Sequence, residues 1–413
     1  MLVIGGASPS ATPIARLQSK HPYATPAHPN FVSFFYSLLP RGLLSQQATP
    51  LRSAFSLRPY MDSSNLRGAW QVLNTLGPVV LLWALVPVAA RTSWWLLVPL
   101  VVLMVLFSSR CFSLMHDCGH GSLFRSPKLN RATGFLFGVI NAIPQYPWSR
   151  GHDYHHRHNG NWELYRGPSA LITTDQFLEL SPRGQWFYEL LRQPLMLIPG
   201  GFFYLVIKPR LALVLGVIDK LRTGRTRHWY TQGEFWDLLG NNICVLALWF
   251  AMGRWLGLGL FWSVYSIVMA CSAAIFICIF FVQHNYEGSY AHGTEGWNSI
   301  KGSLEGSSYL KLPALLNWFS ADIAYHSIHH LSARIPNYRL REAHERNAHL
   351  LDGVHTLSLG QIPGCFQFIL WNPSLKRLQS IALTRREALE AAVASGRTTD
   401  LHKSGQKEAA APV

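Results

Sequence analysis

Two blocks of apolar residues stand out along the chain, and each is long enough for two membrane-crossing helices. The first covers residues 76–112, with Arg91 and Arg110 as its charged positions. The second covers residues 238–283, with Arg254 as its one charged position. A helix rises about 1.5 Å per residue and needs about 20 residues to cross the hydrocarbon core. The pattern therefore predicts two transmembrane hairpins, with spans at about 73–90, 94–112, 238–252 and 258–282.

Two shorter apolar segments lie between the hairpins. Residues 132–143 are too few to span, and residues 194–218 are interrupted by Lys208, Pro209 and Arg210. Such segments are typical of interfacial or re-entrant helices, so we predict four spans. Two hairpins return the chain to the same side of the membrane after the second and the fourth span. The arginine-rich connections on that side favour the cytoplasm.

The composition is typical of a membrane protein and limits the classes of partner that are expected. Hydrophobic residues make up 49% of the chain and charged residues 14%. The formal charge of +15 arises from 36 basic and 21 acidic residues. Because the arginines flank apolar runs, they favour contact with anionic lipid headgroups and exclude nucleic acid as the expected partner. The six cysteines form no CxxC pair, so neither a disulfide framework nor a cysteine-ligated metal is expected.

The chain divides into three predicted parts. Residues 1–60 contain no Asp or Glu, which indicates a disordered or transit-like leader, or a true start at Met61. Residues 61–380 form the membrane domain, and residues 381–413 form a basic, disordered tail. The expected location is a bacterial inner membrane, or a plastid or endoplasmic reticulum membrane in a eukaryote.

Nine histidines form four groups beside the apolar blocks. They are His116 and His120; His152, His155 and His156; His284; and His326, His329 and His330. The multi-histidine groups use steps of three or four residues, which place side chains on one face of a helix. Neutral imidazoles bind Zn, Cu, Fe or Ni. Because the hairpins return these groups to one face, we predict that they meet in one metal site.

The number of histidines indicates more than one ion, since a zinc ion takes only three or four ligands. No HExxH motif with its general-base glutamate is present. An imidazole-rich site without cysteine favours two iron ions, although ligand type alone leaves zinc open. Iron beside a bilayer suggests chemistry with O2 as co-substrate on an unactivated C–H bond of an alkyl chain. The expected product is a double bond or an alcohol.

The motifs resemble those of the membrane fatty acid desaturase family. HDCGH occupies residues 116–120, HDYHH residues 152–156 and HSIHH residues 326–330. The stretch FVQHNYE at residues 281–287 is similar to the acyl-lipid branch of omega-6 or delta-12 type. The resemblance covers residues 66 to about 375. Asn285-Tyr286 and Asn372-Pro373 depart from the commoner pattern of that branch, which puts the substrate assignment in doubt and leaves the histidine boxes untouched.

The resemblance implies an all-α integral membrane protein of four transmembrane helices in two hairpins, with a cytosolic helical cap that holds a histidine-ligated di-iron site. It implies O2-dependent desaturation of an acyl chain. It also implies a separate electron donor, a ferredoxin or a cytochrome b5, because no HPGG heme motif occurs. Carried over box by box, the iron ligands are His116, His120, His152, His155, His156, His326, His329 and His330, with His284 as the extra histidine before the last box. His158 fits the pattern less well and is left out.

Several alternatives remain open. The substrate is an acyl-lipid or an acyl-CoA, and neither its chain length nor the position of the new bond can be read from the sequence. A di-iron hydroxylase or ketolase acting on an alkane, sphingolipid or carotenoid has similar boxes, and a non-enzymatic metal-binding membrane protein is a third reading. Asp117, Asp153 and Asp322 either orient imidazoles or serve as ordinary capping and solvated carboxylates.

Overall fold

A computed structural model describes residues 52–167 and 170–395. Most of the predicted leader, residues 1–51, and the end of the predicted tail, residues 396–413, lie outside the described residues. The described chain is mainly helical, and its helices fall into the predicted hairpins, a connecting region and a cap.

The first hairpin consists of α1 (Asn65–Thr92) and α2 (Leu97–Gly119). The Ser64 side chain begins α1 by accepting a hydrogen bond from the Arg67 backbone N–H. The two helices pack along a buried apolar seam, while their outward faces leave large apolar side chains exposed. An all-round apolar surface of this size is typical of a lipid-facing helix pair.

The first connection carries α3 (Pro127–Ile140) and α4 (Gln145–His158). The Ser126 side chain caps α3, and Pro127 occupies its first turn, where a missing N–H removes no hydrogen bond. A tight turn at residues 141–144 then reverses the chain into α4, and Ala142 in it has a positive φ of 54°. Two short helices follow, α5 (Thr174–Leu178) and α6 (Pro182–Leu190).

The next segment corrects the prediction of an interrupted apolar piece. Pro194–Thr223 is one continuous stretch of 30 helical residues. It consists of a 3-10 turn, α7 (Leu197–Phe202), a π turn (Phe203–Ile207) and α8 (Lys208–Thr223). Pro209 is tolerated because it lies in the first turn of α8, next to the shifted hydrogen-bond register of the π turn.

The charge of Arg210 is also accommodated, since its guanidinium donates to the side chains of Asn241 and Asn242. The described residues therefore contain five helices that are long and apolar enough to cross a membrane, one more than predicted. The extra one is Pro194–Thr223.

The second hairpin consists of α9 (Gln232–Leu256) and α10 (Leu258–Val282). Gly257 joins them with a φ of 81°, a conformation that a residue with a Cβ rarely adopts. Phe112 of α2 stacks on Phe276 of α10 with ring centroids 3.6 Å apart, which joins the two hairpins. The ends of α2 and α10 therefore lie side by side.

The cap follows α10 and contains six short helices and most of two small sheets among the described residues. The helices are α11 (Ser299–Leu304), α12 (Ala314–Phe319), α13 (His326–Leu331), α14 (Asn337–Arg346), α15 (Ile362–Cys365) and α16 (Ile381–Ala394). The strands are β1 (Ile172–Thr173), β2 (Tyr309–Lys311), β3 (Thr356–Ser358), β4 (Phe368–Asn372) and β5 (Arg377–Ser380). One sheet has the order β1-β4-β5, and β2 pairs in parallel with β3.

Three features of the cap differ from the predicted organisation. The two small sheets mean that the fold is not purely α-helical. Phe55 and Leu57, assigned to the leader, are buried against α13 and α14, because apolar side chains there complete the third cluster of the core. Residues 381–394, assigned to a disordered tail, form α16, which begins at the capping side chain of Ser380.

Candidate metal centre

The first histidine pair lies at the end of α2. His116 is in the last helical turn and His120 is its C-cap residue, so the two rings lie one turn apart with centroids separated by 4.7 Å. His116 is almost fully buried. The apolar helix therefore delivers two imidazoles at the point where it leaves the hydrophobic core.

The two HxxHH boxes lie on short helices that face this end of α2. The second box is in α4 and the third box forms most of α13. In each box the first and last histidines are four residues apart and share a helix face, whereas the middle histidine points elsewhere. The boxes are therefore each divided between two groups of imidazoles.

All nine predicted histidines come together, in two groups whose candidate ligand atoms lie within 4.8 Å of one another. The five-histidine cluster contains His116, His120, His152, His156 and His329. The four-histidine cluster contains His155, His284, His326 and His330. The two clusters adjoin, because the His156 ring stacks on the His330 ring at a centroid distance of 4.3 Å. His158 lies outside both and hydrogen-bonds the Tyr154 carbonyl.

The ring nitrogens of the four-histidine cluster fit a bound cation. The carbonyl oxygen of Gly306 lies 2.8 Å from Nδ1 of His284, so that nitrogen carries the proton and Nε2 keeps its lone pair. Nε2 of His284 lies 2.9 Å from Nε2 of His326, which in turn lies 3.1 Å from Nε2 of His330. Converging nitrogens of this kind are the donor set that a divalent transition metal takes.

The five-histidine cluster fits a cation for a second reason. Nε2 of His116, Nε2 of His120 and both ring nitrogens of His329 are buried without a hydrogen-bond partner. Buried polar atoms are normally paired, because an unpaired one loses its hydration without compensation. Metal coordination would satisfy one nitrogen of each of these three rings.

Two carboxylates contact the five-histidine cluster. Asp117 lies 3.1 Å from Nδ1 of His116 and also accepts hydrogen bonds from the backbone and side-chain N–H groups of Asn337. Asp153 lies 3.5 Å from Nδ1 of His120. An N–H donated to a carboxylate fixes the ring and leaves Nε2 for a metal. Asp322, the third candidate, is not paired with a histidine in the described structure.

Burial favours the neutral form of seven of the imidazoles. It lowers the pKa of His284 to about 4, and desolvation with repulsion from neighbouring imidazoles holds the pKa of His155, His326 and His330 well below 6.5. The pKa of His152, His156 and His329 is lowered in the same way. Neutral imidazole is the form that binds a metal.

Aromatic side chains separate the clusters from the apolar helices. Trp148 stacks on His152 with ring centroids 4.9 Å apart. Phe280, near the end of α10, lies 5.9 Å from the His116 ring and 6.0 Å from the His326 ring, and therefore contacts both clusters. These rings form an apolar wall between the imidazoles and the hairpins, where a hydrocarbon chain could approach.

Sequence patterns did not indicate the hydrogen-bond partners that orient the site from positions far away along the chain. Asn337 holds Asp117, and the Gly306 carbonyl holds His284, although each pair is widely separated along the chain. Both residues lie within residues 66 to about 375, the range that the resemblance covered. That coverage gave neither residue a role at the site.

Comparison with known proteins places the chain in one family. The family described as fatty acid desaturase matches residues 92–359. A fatty acid desaturase of Bacillus subtilis (strain 168) is 32% identical over 312 residues, which cover 75% of this chain and 84% of that protein. An sn-1 oleoyl-lipid 12-desaturase of Picosynechococcus is 24% identical, covering 71% of this chain and 78% of the relative.

A third relative, an sn-1 acyl-lipid omega-3 desaturase (ferredoxin) of Synechocystis, is 25% identical over 62% of this chain and 69% of its own length. The family match over residues 92–359 includes all nine histidines. The resemblance predicted from the boxes is confirmed, and the chain belongs to the fatty acid desaturase family.

Proposed function

We propose that the two histidine clusters each hold one iron ion. The observation that carries this proposal is the convergence of nine buried or half-buried imidazoles into two adjoining groups. The ligands are the five of the first cluster and the four of the second. Two redox-active ions side by side would supply the activation of O2 that attack on an unactivated C–H bond requires.

The proposed reaction introduces a double bond into an acyl chain of a membrane lipid. Two hydrogen atoms leave adjacent carbons, and O2 is reduced to two water molecules with two further electrons and two protons. The chain's own residues exclude water and hold the hydrocarbon: Trp148 and Phe280 provide the apolar surface beside the imidazoles. The relatives described as oleoyl-lipid and acyl-lipid desaturases support a glycerolipid substrate.

The electrons come from a separate one-electron carrier in this proposal. The Synechocystis relative is described as a ferredoxin enzyme, which supports a ferredoxin for this chain. A cytochrome b5 would supply the same electrons and is the alternative carrier.

We further propose that only the two hairpins cross the membrane, with the histidines on the cytoplasmic face. Both ends of the Pro194–Thr223 helix lead to elements on the histidine side. Before it, Tyr188 donates a 2.6 Å hydrogen bond to the Ile369 carbonyl in the cap. After it, α9 begins at Gln232, and Glu234 pairs with Arg150 of α4 at 3.0 Å. A helix whose two ends return to one side runs along the membrane boundary rather than across it.

Expression in a host that lacks the product tests the proposal. Fatty acid methyl esters analysed by gas chromatography, with the double bond located by mass spectrometry, should show a new unsaturated species. The purified protein should contain close to two iron ions per chain. Stoichiometric zinc from iron-replete cells, together with unchanged acyl unsaturation, would overturn the proposal.

A further inference from the structure

Two arginines are embedded in the apolar helices, although neither belongs to a histidine group. Arg110 lies in α2 and is 2% exposed, and Arg210 lies in α8. A charged side chain at such a position is unfavourable unless the protein satisfies it with hydrogen bonds. Arg210 donates to a backbone carbonyl in the turn that leads into the second HxxHH box, and Arg110 donates to a carbonyl in the last turn of α12, immediately before the turn that leads into the third. We propose that both are positioning residues that hold the two boxes in their metal-binding geometry, an inference that rests on the proposed iron centre.

Arg210 holds the turn before the second box. Its Nη1 donates to the Ala142 carbonyl at 2.7 Å, and its Nη2 donates to the Asn241 side chain at 2.8 Å. Asn241 in turn donates to the Ile143 carbonyl at 3.2 Å. Two consecutive carbonyls are thereby fixed immediately before Pro144, the N-cap residue of α4.

Arg110 holds the turn before the third box. It donates through Nε to the Thr75 hydroxyl at 3.0 Å and through Nη1 to the Trp318 carbonyl. The Trp318 ring also lies under the guanidinium, 3.8 Å from its central carbon. The same carbonyl accepts the N–H of Ala321, and the Asp322 carbonyl accepts the N–H of Tyr325, the N-cap residue of α13.

Both turns contain residues with an unfavourable backbone conformation, which requires stabilising contacts. Among the described residues, five that are not glycine have positive φ, namely Ala142, Ala170, Ala321, Asp322 and Lys376. Three of these five lie in the two turns that the arginines hold. A residue with a Cβ adopts positive φ only when surrounding contacts impose it. The arginine hydrogen bonds supply those contacts.

A shift of either turn would affect both clusters. The second box supplies His152 and His156 to one cluster and His155 to the other, and the third box is divided in the same way. A change in the direction of either α4 or α13 therefore displaces ligands from both ions. Loss of one arginine should loosen both, although neither arginine contacts a histidine.

Iron release from the full-length, detergent-purified protein tests this role without measuring activity. The variants are Arg110→Met and Arg210→Met, with Arg254→Met, at an exposed position near the far end of α9, as the matched control. A chelator in excess should remove iron from the first two about tenfold faster than from wild type, in line with the loss of other groups that orient ligands. The control should release iron as slowly as wild type. Equal release rates in all four proteins overturn the proposal.

Glycine substitutions separate positioning from general damage. Glycine adopts positive φ without strain, so Ala142→Gly should slow the release in Arg210→Met, and Ala321→Gly should do so in Arg110→Met. Release that is equally fast with and without the glycine contradicts the positioning role. If a methionine variant does not accumulate, Arg110→Lys or Arg210→Lys replaces it, because lysine keeps the charge but lacks the planar fork. Faster iron release than from wild type then supports the proposal, and an unchanged rate overturns it. Wild-type protein that binds no iron overturns the proposed centre itself, whereas iron-loaded wild type with unaffected variants overturns this inference alone.

Discussion

The two histidine clusters differ in ligand number, exposure and neighbouring charge. The five-histidine cluster includes three residues that are only partly buried, whereas all four residues of the other cluster are buried. Asp117 and Asp153 contact the first cluster, and among the described residues no carboxylate forms an ion pair with the second. The His284 ring is held instead by the neutral Gly306 carbonyl.

This difference indicates that the two clusters would stabilise a bound cation in different ways. Nearby carboxylates offset part of the charge of a cation and make the imidazoles that donate to them better ligands. The five-histidine cluster combines that advantage with one more imidazole than its neighbour. The four-histidine cluster relies on its imidazoles alone, in a site where burial makes any uncompensated charge unfavourable.

The largest effect is expected when one proposed ligand is removed from each cluster in turn. His155→Ala and His329→Ala should each abolish the unsaturated product, because the proposed reaction requires both ions. The measurement is fatty acid methyl ester analysis of expressing cells, with membrane content checked by immunoblot. His158→Ala, on the same helix as His155 but outside both clusters, is the control and should retain product. Product at wild-type level from either ligand variant would contradict the proposed site.

Iron content should distinguish the two clusters, whereas loss of activity is expected from ligand removal in either one. His284→Ala leaves three imidazoles in its cluster, whereas His120→Ala leaves four in the other. We therefore expect purified His284→Ala to retain about one iron per chain and His120→Ala to retain close to two, because four imidazoles still complete a four-ligand site whereas three do not. Elemental analysis of both proteins measures this difference. Equal loss of iron from the two variants would show that His120 is as necessary as His284, which contradicts this expectation.

A smaller effect is expected from the carboxylates. The Asp117 side chain is 4% exposed and the Asp153 side chain is 53% exposed. Asp117→Asn should accelerate iron loss by roughly 10-fold to 100-fold, because a buried carboxylate that orients a ligand is poorly replaced by water. Asp153→Asn should have a much weaker effect, since solvent screens the exposed contact. Chelator-release kinetics compare the two, and a larger effect from Asp153→Asn would reverse the assignment.

Much of the site could be predicted because its information is local. Steps of three and four residues identified the boxes, and the apolar blocks placed their elements near one end of the hairpins. The division of each box between two clusters was not predicted, because it depends on how α4 and α13 are turned towards each other. The prediction of His284 as a ligand relied on its place beside an apolar block and on the family resemblance, and the structure brings that ring to His326.

The fold was harder to predict from the sequence where the structure around a residue depends on partners far away along the chain. Lys208, Pro209 and Arg210 interrupt an apolar pattern, but Asn241 and Asn242 satisfy the arginine, so the helix continues through them. The burial of Phe55 and Leu57 depends on a surface formed more than 250 residues later, by α13 and α14. No local pattern reports contacts at that separation.

The smallest predicted effect concerns pH and the four-histidine cluster without metal. Burial lowers the pKa of His284 from 6.5 to about 4, while an unfolded chain takes up protons near pH 6.5. Between these values the unfolded state binds more protons, so the stability of the metal-free protein is full above pH 6.5 and falls as the pH drops towards 4. Without a carboxylate beside this cluster, no fixed negative charge stabilises the protonated rings. In thermal unfolding of the chelator-treated protein from pH 7.5 to 4.5, His284→Leu should flatten the pH dependence. The exposed His349→Leu control should not, and identical slopes for both variants would show that burial of His284 does not govern the acid sensitivity.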